Sequence, residues 1–349
     1  MKCFFPARKV SSLKNTDVGV NLVTDMIQHL EKNARKHYQN IRIFICSRNR
    51  FLACHRLVHS LVRQIVIFDL ASFVSITILE NGSTKKQKHL YQTLHKLIEC
   101  VNSYNITASG LSEARNIAIS MTRKDEYLYF LDDDVIVESD LFLKNLSEII
   151  NTHHPDLLGG PVSSKLPVNL PHWFREEWVT RHFGVNGFGA QRLSGGNFGI
   201  SGTLCDGSIL FDRNLGMRGG KIRLGEERDF VEQYLARTDK PQIFYSSDLS
   251  VAEKFGSEKT KLSYRIRREF AIGYAEHLDH HASHLKTNFR PFASLKLRDF
   301  KRAFRYINKS APSVYSEMKY SERKYLFISI SLFTSRMLGL FLRKLRWRT

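Results

Sequence analysis

Between residues 41 and 131 short apolar runs alternate with longer stretches of helical spacing, and that rhythm leaves few architectures open to the chain. The runs are IRIFIC (41–46), SITIL (75–79), a shorter one at 104–107 and YLYFL (127–131), separated by helical patterns over 53–66, 85–100 and 111–121. A helix between successive strands favours parallel pairing, and strands apolar along their whole length are buried on both faces. The pattern predicts an α/β fold, with a mainly parallel, Rossmann-like sheet flanked by helices. Beyond residue 131 it is less regular: helices are expected over 140–151, 226–236 and 261–278, and strands over 242–245 and 249–252.

Ligands of open α/β sheets bind beyond the carboxyl ends of the strands, so the loops that follow the strands carry the functional information. Here those loops are Ser47-Arg48-Asn49-Arg50, Glu80-Asn81-Gly82-Ser83, Ser109-Gly110-Leu111-Ser112 and Asp132-Asp133-Asp134. Three adjacent carboxylates repel one another, which makes the triplet costly without a cation. Mg²⁺ and Mn²⁺ take oxygen ligands, and at phosphate sites one or two carboxylates plus a diphosphate complete the shell. A solvated turn capping helix 140–151 is the competing reading. The GLSEARN segment (110–116) places small residues at a helix N-terminus, where free amides favour anions, or serves as an ordinary N-cap.

In the order SRNR, ENGST, GLSEARN, FLDDD, GGPV, SGGNFGIS and GEERDF, these segments resemble the family 2 glycosyltransferases from about Ile41 to Ala275. The resemblance implies a GT-A fold and transfer of a sugar from a nucleotide-diphosphate donor, a UDP-sugar first, to an acceptor hydroxyl. It implies that Ser47, Glu80 and Arg115 surround base and ribose, with Arg48, Asn81, Gly110, Asp132 and Asp133 in the same donor site. Asp132 and Asp134 flank diphosphate and metal, with Asp134 the direct ligand. Gly195, Gly196 and Asn197 resemble the acceptor-side loop, and Glu227 falls where the family has its catalytic base. Glu226 and Asp229 are the alternative acids, and all three equally suit the first turn of a helix. The family often has a histidine after the last strand; this chain has Glu253, an oxygen donor.

The long irregular stretch 161–196 holds His172, Trp173, Trp178, His182 and Phe183, residue types that stack on a sugar face, and Trp173 is the acceptor residue expected there. Histidine pairs at 277/281 and 280/284 have a zinc-like spacing but no accompanying base, and read as a solvated helix end.

The net charge of +19 is concentrated at one end: from Lys259 onward, 21 Lys and Arg face six Asp and Glu, an excess of +15. Charge therefore describes an appendage and argues against nucleic acid as partner. The run Tyr325–Ser335 is too short to span a bilayer, and the basic and aromatic pattern to Trp347 suits a helix lying on an anionic membrane surface or packing on the catalytic domain or a second subunit. Five cysteines without a CxxC pair point to a reducing compartment, and Phe4-Phe5 is far short of a signal-peptide core. The expected organisation is a helical leader over 1–40 with a helix at Val20–His37, a GT-A domain over 41–285 with donor half 41–160 and acceptor half 161–285, and a basic, apolar helical tail over 286–349. The expected setting is the cytoplasmic membrane face, in synthesis of a surface glycan or lipid-linked saccharide, with self-association open. Competing readings are a nucleotidyltransferase, which needs a glycine-rich loop that SRNR lacks, and a noncatalytic membrane- or nucleic-acid-binding protein.

Overall fold

The computed structural model describes residues 39–276, apart from 109, 172, 173, 175–178, 180–183 and 220, together with 331, 332 and 334–339. The expected helix Val20–His37, the aromatic residues His172, Trp173, Trp178, His182 and Phe183, the histidine pairs and most of the tail lie outside the described residues. The first half alternates as the sequence predicts: β1 (Asn40–Ser47), α1 (Phe51–Ile67), β2 (Val74–Asn81), α2 (Lys85–Leu97), β3 (Val101–Ile106), α3 (Leu111–Ser120) and β4 (Glu126–Leu131). Then follow β5 (Val135–Val137), α4 (Phe142–His153), β6 (Leu157–Gly159), β7 (Val162–Lys165), β8 (Gly187–Phe188) and β9 (Asn197–Ser201). The last elements are α5 (Glu226–Leu235), β10 (Ile243–Tyr245), β11 (Val251–Lys254) and α6 (Leu262–Glu276).

The main sheet has the order β3-β2-β1-β4-β9-β6-β10-β8. Its left half is parallel throughout, β6 is parallel to β10, and β9 runs antiparallel between β4 and β6. Alternation along β1 explains why it is central. Ile41, Ile43 and Ile45 join Leu57, Val58, Leu61 and Ile65 of α1 and Phe142, Leu146 and Ile150 of α4 on one face. Phe44 joins Ala118 and Ile119 of α3, Phe130, Phe198, Phe211 and Phe230 on the other. Each such side chain contributes about 1.5–3 kcal/mol when fully buried. The buried positions of α1 recur every three or four residues, the helical period that the core requires.

A second sheet, β5-β11-β7, stands beside the first. Antiparallel pairing of β11 with β5 sets Glu253 opposite Val135, and the Lys254 amide donates to the Asp134 carbonyl at 3.4 Å. This small sheet thus fixes the triplet against the end of β11.

Three expectations are corrected. The helix expected over 85–100 ends at Leu97, and β3 begins at Val101; the apolar residues Ile98 and Cys100 extend the helical pattern but pack beneath the sheet as a connection. Asn197, read with Gly195 and Gly196 as an acceptor-side loop, begins β9 in the middle of the sheet. Gly199 of β9 is required there because an added Cβ would lie 2.8 Å from the rings of Tyr127 and Tyr129. The irregular stretch 161–196 includes β7 and β8.

The described tail residues pack on α6. The Ser335 hydroxyl donates to the Ile266 carbonyl at 2.8 Å, Arg336 lies 3.6 Å from Glu269, and Leu332 joins Phe174, Val179 and Phe255. Met337 and Leu338 remain largely exposed. Among the described residues no helix is long and apolar enough to cross a membrane.

Candidate active site

The triplet leaves the carboxyl end of β4, and its three side chains have three different surroundings. Asp133 turns inward, 8% exposed, where it accepts from the Ser47 hydroxyl at 2.7 Å and from Arg50 at 3.1 Å. Burial pushes its pKa up to about 6, against the opposing pull of Arg50 and Ser47. Asp134 accepts from the same Arg50 at 2.8 Å and faces Lys259 at 3.8 Å. Asp132 is the most open of the three and pairs with Arg115 at 3.4 Å. The triplet is not the cap of the following helix, because β5 intervenes and α4 starts from Leu141.

Arg115 on α3 is 2% exposed and lies at the centre of the site. Its guanidinium carbon is 5.6 Å and 5.4 Å from the ring centroids of Phe130 and Phe211, and its nitrogens reach Asp132, the Gly195 carbonyl at 2.9 Å and Glu226 at 3.1 Å. Burial opposes its charge, but Glu226, Asp132 and Glu227 outweigh that effect and raise its pKa. The glycines of the SGGN loop make the approach feasible. A Cβ on Gly195 would lie 2.7 Å from Arg115, and one on Gly196 would lie 2.7 Å from Asp132.

Gly225, with φ at 98°, turns the chain into α5 and presents three acids in its first turn. Glu226 is buried beside Arg115; one of its oxygens has no hydrogen bond. Burial first, and then the neighbouring Glu227, push its pKa up to about 8 against the pull of Arg115. Glu227 is less buried and accepts from the Gly195 amide at 3.4 Å. Asp229 accepts from Gln233 at 2.8 Å, along the helix.

Several sequence-derived positions are relocated. Ser47 does not open onto the crevice: its hydroxyl is buried between Asp133 and Tyr91. Arg48 is exposed, whereas Arg50, not singled out in the sequence, reaches the triplet. Glu80 is buried, accepting from the Ser83 amide, with its other oxygen 3.8 Å from Lys88. Asn81 braces neighbouring loops through the Gly110 carbonyl and the Ala108 amide. The amino end of α3 is covered: the Leu111 amide donates to the Met217 carbonyl at 2.9 Å and the Ser112 hydroxyl to the Leu215 carbonyl at 2.7 Å, so Gly110 abuts backbone carbonyls of that segment. Asn197 is wholly buried, accepting from Tyr129 at 2.5 Å and donating to Leu249 and Pro161. Its side chain pins β9 to the neighbouring segments. Glu253 is buried against Lys259, which donates to it.

A mostly parallel sheet that ends in an acidic triplet, apposed to a glycine loop and to an acid-bearing helix start, is the arrangement of a GT-A fold. The model of glycosyl transferase family 2 matches residues 42–208, a little under half of the chain. That match supports a glycosyltransferase rather than the nucleotidyltransferase or noncatalytic readings. The mannosyltransferase PcManGT from Pyrobaculum calidifontis, solved with GDP-Man and Mn²⁺, is similar with a TM-score of 0.54 at 10% identity, over 93% of this chain and 96% of that one. That likeness concerns the fold. S. aureus TarS 1–349 gives a TM-score of 0.48 at 15% identity, over 87% of this chain and 91% of that one. Against the longer TarS structure the chain spans 55% of its length, with a TM-score of 0.47 at 15% identity over 86% of this chain. No curated protein matches the sequence.

Proposed function

We propose that this glycosyltransferase moves a sugar from a nucleotide-diphosphate donor, a UDP-sugar first, to an acceptor hydroxyl with inversion, and that Glu227 is the base. The observation that carries the reading is the Arg115 network, which ties Asp132 on the donor side to Gly195 and Glu226 beside the base. In the transfer, the acceptor oxygen bonds to the anomeric carbon as the bond from that carbon to the phosphate oxygen breaks. The bonding pair leaves with the diphosphate, and the hydroxyl proton passes to Glu227. Glu226 is buried against Arg115, and burial favours its protonated form, so in this reading it braces Arg115 while Glu227 takes the proton. Asp229 is engaged along its own helix.

The chemistry of the acids suits Mn²⁺ or Mg²⁺: Asp134 and Glu253, which share Lys259, offer oxygen alone, Asp132 beside Arg115 is a further oxygen donor, and a diphosphate supplies the rest. A bound divalent cation stabilises the negative charge of the departing diphosphate. PcManGT, with GDP-Man and Mn²⁺, supports the same pairing of donor and metal. The excess of positive charge beyond Lys259 supports contact with an anionic membrane surface and an acceptor presented there, a glycan or lipid-linked saccharide.

The test is transfer by the purified chain from UDP-, GDP- and dTDP-sugars with Mn²⁺. Glu227→Gln is expected to lower kcat by about 10²–10⁴-fold with donor KM retained, the contribution of a general base. A Glu227→Gln enzyme with unchanged kcat assigns the base elsewhere.

A further inference from the structure

Lys259 stands where the carboxylates assigned to the metal meet. It lies in the short 3-10 turn Ser257–Thr260 that follows β11, and its amide donates to the Gly256 carbonyl at 2.9 Å. Its ammonium donates to Glu253, lies 3.8 Å from Asp134 and sits 5.6 Å from the centroid of Phe255. All three charged groups are largely shielded, with side chains 16%, 10% and 19% exposed for Lys259, Glu253 and Asp134. Among the described residues no three His, Cys, Asp or Glu side chains converge as a metal-holding group. The protein's own cations hold these acids instead: Arg50 and Lys259 both approach Oδ2 of Asp134, at 2.8 Å and 3.8 Å.

A divalent ion and an ammonium compete for the same oxygens, so a metal that approaches Asp134 and Glu253 alone has to break both Lys259 contacts in a partly desolvated place. A diphosphate changes that balance, since it brings oxygen ligands for the metal and an anionic partner for the displaced ammonium. Lys259 has room to move: Arg50, Arg56, Asp134, Lys254 and Lys259 line one cavity of about 420 Å³. We propose that Lys259 is a tethered counter-ion of the metal site, which holds Asp134 and Glu253 until donor and metal arrive together and then pairs with the diphosphate. The inference rests on the metal-dependent reading above. It makes metal binding weak alone and strong with the donor.

Free Mn²⁺ is followed by electron paramagnetic resonance during titration of the full chain, wild type, Lys259→Met and Lys259→Arg, with folding checked by circular dichroism. Without nucleotide, Lys259→Met is expected to bind Mn²⁺ at least about tenfold more tightly than wild type, and Lys259→Arg to match wild type, as removal of a competing charge demands. With whichever of UDP, GDP and dTDP binds the wild type, the order reverses, because the Met variant has lost the diphosphate's partner. Equal Mn²⁺ affinity in folded wild type and Lys259→Met, or no reversal with nucleotide, overturns the inference while leaving the metal reading intact. Absence of Mn²⁺ binding in every protein, with and without nucleotide, overturns the metal reading and this inference with it.

Discussion

Glu226 and Glu227 are adjacent acids with different surroundings, and the roles proposed for them follow that difference. Glu226 is enclosed beside Arg115 and Glu227, so its carboxyl is held protonated up to about pH 8. A carboxyl whose pKa is raised by folding binds its proton more tightly in the folded state, so its contribution is favourable at low pH and is lost as pH rises from the ordinary carboxyl range through about 8. Glu226→Gln, which mimics the protonated form, is expected to flatten that decline: thermal melts at pH 6 and pH 8.5 should differ less than those of wild type. An equal pH dependence in the variant shows that Glu226 is ionised in the fold. Arg50 carries a related lesson. The SRNR loop was recognisable as a donor-side loop, yet Arg48 and Arg50 were indistinguishable by residue type. The choice is made by Asn49, whose φ of 56° turns the chain so that Arg50 and not Arg48 meets the triplet. Asparagine tolerates that left-handed conformation, and it was the available signal.

At the scale of elements, the parallel half of the sheet was legible because strands buried on both faces are written as unbroken apolar runs. The strand-end loops followed from the same reasoning. β9 was not legible. It is five residues of NFGIS beginning beside two glycines, and its place between β4 and β6 depends on Asn197 satisfying the Pro161 and Leu249 carbonyls, contacts that no local pattern announces. Nor was Lys259, whose role depends on the pairing of β11 with β5. The SGGN loop gives this scale its prediction. Gly195→Ala places a methyl against an arginine already held by two phenylalanine rings and two acids. Overpacking of this kind costs about 1–3 kcal/mol. Because Arg115 would have to shift, kcat is expected to fall by about 10²-fold, the effect of a displacement near 1 Å. An unchanged kcat in a folded Gly195→Ala enzyme removes Arg115 from the positioning of the base.

For the whole molecule, the positive charge and the apolar tail were legible as composition, whereas their docking was not. The described tail residues do not simply present a membrane face, since Leu332, Ser335 and Arg336 are committed to α6 and the cluster beside it. Truncation that removes 325–349 therefore has two expected consequences. The melting temperature falls by a few degrees as Leu332 and its cluster lose about 1.5–3 kcal/mol of burial. Flotation with anionic vesicles is also lost, if the tail supplies the membrane contact. A lower melting temperature with undiminished flotation places that contact elsewhere on the chain.

The antiparallel entry of β9 has a geometric consequence. Leu131, the last residue before the triplet, is in register with Asn197, the first residue after the two glycines. The segments assigned to donor and acceptor thus leave opposite ends of adjacent strands at the same rung of the ladder, and their separation is set by strand spacing. Slippage of that ladder by one residue would invert the side chains of β9 and misalign both segments together, so the distance between the triplet and the glycine loop is gauged by a backbone hydrogen-bond pattern.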